Sequence, residues 1–158
     1  RFELARDTIE TALRELEAMP RFHNSDIYLG GMYLRDRIAL FSDDFDGARR
    51  HAAHTHELAV QAGNRTVQGG SAATLALVHL WRAEYSEARR WAERAVELAR
   101  VTGNPHARMT EVAVALISRV ALGESRAAGK FAEAIDDIPI EGDVLPVGDP
   151  IAEIGDGA

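Results

Sequence analysis

Cysteine is absent from this 158-residue chain, and with it go disulfide scaffolds, zinc ribbons and thiol chemistry. The absence points to a reducing, cytoplasmic setting. Long apolar runs are missing as well. The stretch 72–80 is typical of those present, and it is too short and too interrupted to span a bilayer. The chain opens on Arg1, Phe2, Glu3 and Leu4, with neither an initiator Met nor a signal peptide. It reads as amphipathic helix from the outset, so it is expected to be a piece of a longer protein. Its length fits one domain that can bury a core without disulfides or metal.

Positive charge is lacking at one end. From Phe131 onward there are eight acidic residues and no Lys or Arg, whereas the chain up to Lys130 carries 17 acids and 18 bases. The net charge of −7 therefore resides in the tail. Nucleic-acid backbones are bound by net basic surfaces, so direct nucleic-acid contact is not expected.

What the chain does have is a repeat. Phe45, Ala48, Arg49, Arg50, Leu58, Ala59, Gly63 and Asn64 recur, at a constant shift of 40, as Tyr85, Ala88, Arg89, Arg90, Leu98, Ala99, Gly103 and Asn104. A further step of 40 reaches Ala128, places Ala132 beneath Ala92 and Ala52, and places Ile138 beneath Leu98. This third copy is degraded but in phase. The preceding half of each unit, 26–42, 66–83 and 106–122, lacks proline and carries apolar residues at helical spacing. Gly63-Asn64 and Gly103-Asn104-Pro105 are helix stops, and Asn24, Ser25 or Asp26 is placed to cap the next start. The segment 2–17 echoes the second helix, with Phe2, Ala5 and Arg6 matching Phe45, Ala48 and Arg49 at a shift of 43.

These signals predict seven helices in helix–turn–helix units. Residues 1–137 form the repeat domain: 1–19 is the second helix of a truncated unit, 25–64 and 65–104 are two full repeats, and 105–137 is a degenerate third. One unit cannot bury its apolar face alone, so the units are expected to stack as an all-α solenoid of antiparallel helix hairpins. Residues 138–158, with three prolines and scattered Ile, Val and Leu, form a non-helical acidic tail. It is read either as a segment lying against a solenoid surface or as a linker.

The aromatic-x-x-Ala of the second helix resembles the tetratricopeptide repeat, as does the small residue seven positions later, here Thr55 and Ala95 with Ile135 in the third copy. The first helix departs from that pattern. Its small residue is met by Ala76, but by Asp36 and Leu116 in the other copies. The period of 40, closed by Leu-Ala-x-x-x-Gly-Asn, is similar to the long repeats of large bacterial signalling regulators. These include the LuxR-type activators related to the maltose activator and the Streptomyces antibiotic regulatory proteins. The resemblance covers about residues 26–136 and carries architecture more than function.

It implies a right-handed superhelix whose first helices line a concave groove for a peptide, a helix or another domain. By repeat phase, the groove residues are Tyr33 and Arg37, Ala73 and Leu77, Ala113 and Ile117. Such a strip, apolar with one cation, suits aliphatic anchors. The same Leu77 and Ile117 could equally be core. The implied role is protein–protein interaction or signal relay in a cytoplasmic transcriptional regulator, with no catalysis and no cofactor. A small-molecule or peptide sensor, and an oligomerisation module giving a homodimer, stand as alternatives.

Other features read as structural. His51 and His54 share a helix face and could hold a metal, with Glu10 or Glu57 as further ligands, but His56 lies round the helix. His51 takes the packing position of Trp91. Gly30-Gly31 and Gly69-Gly70 lack the strand and Lys of a phosphate loop and instead suit close helix packing. Arg49, Arg50, Arg89, Arg90 and Arg94 form a stripe without interleaved aromatics, in which Glu87–Arg90 and Arg94–Glu97 are set for helix-surface pairs.

Overall fold

The computed structural model describes residues 2–23, 25–102 and 105–124, with the single positions 126 and 130. Six α-helices make up nearly all of it: α1 (Phe2–Glu17), α2 (Asp26–Phe41), α3 (Phe45–Gln61), α4 (Arg65–Trp81), α5 (Tyr85–Thr102) and α6 (Pro105–Ala121). A short 3-10 turn, Pro20–Phe22, joins α1 to α2, and no strand occurs among the described residues. The expected seventh helix lies outside the described residues apart from Arg126 and Lys130, both helical. Asn24, the stop at 103–104 and the tail 138–158 also lie outside them. No described helix is long and apolar enough to cross a membrane.

One turn recurs at the ends of α2, α3, α4 and α6. Asp43, Gly63, Ala83 and Gly123 each take a left-handed backbone, with φ of 61°, 69°, 57° and 76°. The following N–H donates back to the carbonyl five positions earlier: Asp44 to Ala39 at 3.0 Å, Asn64 to Ala59 and Glu84 to His79 at 2.9 Å, and Glu124 to Arg119 at 2.8 Å. This closure satisfies carbonyls that the helix end leaves open. The residue that closes one helix can then open the next. Asp44 Oδ1 accepts from Gly47 N, and Asn64 Oδ1 accepts from Val67 N, each at 2.9 Å. Ser25 caps α2 by accepting from Tyr28 N.

Ala83 pays for this geometry with a side chain that the left-handed region disfavours. Gly123 occupies the same place one unit later. Ala83→Gly is expected to stabilise the fold by about 1 kcal/mol, read as a rise in urea midpoint at unchanged slope.

Consecutive helices pack on one another, and α2, α4 and α6 also touch in that order. The repeated small residues sit at the contacts. Ala48, Ala52 and Thr55 on α3 and Ala88, Ala92 and Ala95 on α5 are fully buried. Around them, Ala39 and Leu40 of α2 meet Ala48 and Val78, with Phe45 and Leu77 alongside. One unit later Ala76 of α4 meets Ala88, Ala92, Val114 and Ala115. Small side chains let the helix axes approach, and the larger ones fill what is left.

Candidate interaction face

The six groove residues predicted from repeat phase fall into different surroundings. On α2, Tyr33 is half-buried and its ring lies over Gly70 of α4, where an added Cβ would come within 2.7 Å of it. Arg37, one turn further, lays its guanidinium over the Phe41 ring at 4.7 Å. On α4, Ala73 is buried with Ala72 and Ala95 beside Trp91. Leu77 is half-buried and packs against the clusters on both sides of α4. On α6, Ala113 and Ile117 are exposed. The predicted strip is therefore open at α6, half-buried at α2 and covered over the middle of α4.

Two residues of the same stripe escape the reading by repeat phase. Phe41 and Trp81 lie one turn beyond Arg37 and Leu77, and both are about half exposed, at 50% and 48%. Trp81 meets Phe45 edge-on, with ring centroids 5.3 Å apart. The signal for them exists, because a further step of four along each helix reaches them. With Ile117, 53% exposed, they give three successive first helices one large apolar side chain each at the surface.

The histidines are dispersed. His54 is exposed, while His51 is half-buried, and burial followed by the nearby Arg35 charge lowers its pKa. His56 turns inward. Its Nδ1 lies 3.1 Å from the Gln68 carbonyl and 3.1 Å from Ser71 Oγ, and its ring meets Trp91 edge-on at 5.3 Å. A carbonyl only accepts, so Nδ1 carries the proton, and burial lowers the pKa of this neutral ring. Among the described residues no three His, Asp or Glu side chains gather where a metal would sit.

Three arginines of α5 are engaged. Arg90 pairs with Glu87 at 2.6 Å, Arg94 with Glu97 at 2.7 Å and Arg89 with Glu124 at 2.5 Å. Arg49 and Arg50 of α3 are exposed. The glycine pairs mostly mark close approaches: a Cβ on Gly31 would lie 3.0 Å from Leu13 of α1, and one on Gly69 3.5 Å from Leu98 of α5.

A buried carboxylate breaks the small-residue pattern. Asp36 is fully buried between α2 and α3, and its Oδ1 accepts from Thr55 Oγ1 at 3.1 Å. Its Oδ2 has no partner among the described residues. Burial pushes its pKa up to about 7, against the opposing pull of the Thr55 hydrogen bond and the Arg35 charge. Compared with known families, characterised proteins and solved structures, the chain finds no match.

Proposed function

We propose that this chain is a tetratricopeptide-like repeat module, a right-handed solenoid of helix hairpins, that binds a protein segment through the face of α2, α4 and α6. It works by binding rather than catalysis, as an interaction or relay element of a larger cytoplasmic bacterial regulator. The supporting observation is the series Phe41, Trp81 and Ile117, large apolar side chains left half exposed on three helices that touch in order. Aromatic anchors beside one cation, Arg37, suit an amphipathic helix or an extended segment carrying aliphatic side chains and an acid.

The test compares capture of proteins from the native cell extract by the whole chain and by Phe41→Asp and Ile117→Asp variants. Both positions are exposed, so these variants are expected to keep the helical circular dichroism of the parent. Leu77→Asp would not serve, because Leu77 packs into the core on both sides of α4. A protein held by the parent and lost from both variants is the expected result. Identical captured sets from all three would refute binding by this face.

A further inference from the structure

Two small positions of the repeat are filled by Ala76 on α4 and Ala95 on α5, both fully buried. One period earlier the same two positions depart from the pattern together. They hold Asp36 on α2 and Thr55 on α3, fully buried as well, and the two polar side chains meet at 3.1 Å. A carboxyl therefore stands in the contact between α2 and α3 where the next unit has methyl groups.

A protonated carboxyl suits this place, since it accepts from Thr55 and brings no charge. An ionised one does not, because a buried charge without close partners costs far more than the same charge in water. The Asp36 Oδ2 has no partner among the described residues. Arg35, its neighbour on α2, is the one charge among them that acts on it, and burial outweighs that pull. The Arg35 Nη2 is turned instead to Met32 Sδ at 3.4 Å. From α3 comes His51, one turn before Thr55, whose pKa is lowered by burial and by Arg35. From α1 comes Glu10, whose negative charge acts on His51. What else holds α2 in place is indifferent to pH: Leu29 against Ala59 and Val67, and the Tyr33 ring over Gly70.

We infer that Asp36 makes the contact between α2 and α3 a proton-operated joint, closed while the carboxyl keeps its proton and loosened when it ionises, and so regulates the face that α2 shares with α4 and α6. Arg37 and Phe41 ride on α2, and loosening takes them out of line with Trp81 and Ile117. The regulation rests on the reading of that face as a binding surface, whereas the joint does not. In the closed joint burial raises the Asp36 pKa from 3.8 to about 7. In the loosened joint water reaches the carboxyl and the pKa returns towards 3.8. Closure is therefore favoured most below that value and is lost as the pH climbs through about 7. His51 acts with the opposite sign, since a lowered pKa favours closure above its ordinary 6.5. Between about pH 5 and pH 8, Asp36 alone should raise the ratio of loosened to closed by up to about a hundredfold.

The test uses the two tryptophans, Trp81 on α4 and Trp91 on α5, which meet Phe45 and His56 of α3. Their emission reports packing beyond α2, while far-UV circular dichroism reports every helix. Urea unfolding of the whole chain is followed by both signals at about pH 5 and pH 8. At the lower pH the two curves should coincide. At the higher pH the helical signal should fall ahead of the tryptophan signal, as α2 leaves α3 before the rest unfolds. Asp36→Asn should give coincident curves at both, and so should Asp36→Ala with Thr55→Ala, which restores the alanines of the next unit. Coincident curves for the parent at the higher pH would overturn the joint, because Asp36 would then act on the fold as a whole. A separation that is the same at both pH values, or that persists in both variants, would overturn it too. Capture of proteins by the face, repeated at the two pH values, should weaken at the higher one for the parent and stay level for Asp36→Asn. Level capture by the parent while its joint loosens would overturn the regulation. Failure of the face to capture any protein would leave the urea result standing, so the two readings fail separately.

Discussion

Asp36→Asn is expected to stabilise this chain by up to about 4 kcal/mol above neutral pH and to change little near pH 4. The carboxyl is fully buried, one of its oxygens has no partner among the described residues, and burial raises its pKa from 3.8 to about 7. The folded state therefore keeps a proton that the unfolded chain releases above 3.8. The proton-linked stability is fully present below that value and is lost as the pH climbs through about 7. A gap of about three in pKa, at about 1.36 kcal/mol each, gives the figure above, a large share of a typical domain's stability. Asparagine keeps an oxygen to accept from Thr55 and carries no charge to desolvate. Urea unfolding of the two proteins at steps between about pH 4 and pH 8 reads the effect directly. Curves that stay parallel across that range would mean the carboxylate is ionised and solvated inside the fold.

The sequence signals that lead to this position are partial for a physical reason. Repeat phase identifies position 36 as the place of a small residue, filled by Ala76 in the next unit, so the departure is visible. Its burial is not, because one sequence shows which residues face inward but not what a neighbouring helix does to them. The turns teach the same lesson. Gly63-Asn64 is readable as a stop, whereas Asp43 and Ala83 adopt the same left-handed backbone without glycine. The recurring back-bond from the following N–H holds them there against local preference. Helix spans are more legible: the pattern predicts 26–42 and Asp26–Phe41 is found, because a proline-free run follows Ser25, which caps its first turn. The groove is legible in direction only. Tyr33, Ala73 and Ala113 share a phase, yet Tyr33 covers Gly70, Ala73 is buried and Ala113 is exposed. Periodicity fixes the angle at which a side chain leaves its helix, and the presence of a neighbour decides whether it meets protein or water.

That distinction gives the second large effect. Leu40, Leu80 and Val120 occupy one repeat position on α2, α4 and α6, and sequence alone would treat them as equivalent core. Leu40 is fully buried among Ala39, Ala48 and Val78, Leu80 is half-buried, and Val120 is 56% exposed. Leu40→Ala removes methyl groups from a site enclosed by three helices, where small residues set the helix spacing and little can move in to fill the space. A loss of about 2–5 kcal/mol is expected. Val120→Ala strips side-chain atoms already largely in water and should cost no more than about 0.5 kcal/mol. Leu80→Ala should fall between the two. Denaturant midpoints of the three variants give the comparison at once, since they share one parent and one transition. A graded series would show that the repeats contribute unequally, in proportion to the neighbour each one has. Equal losses would instead mean that Val120 is covered in solution by protein rather than water.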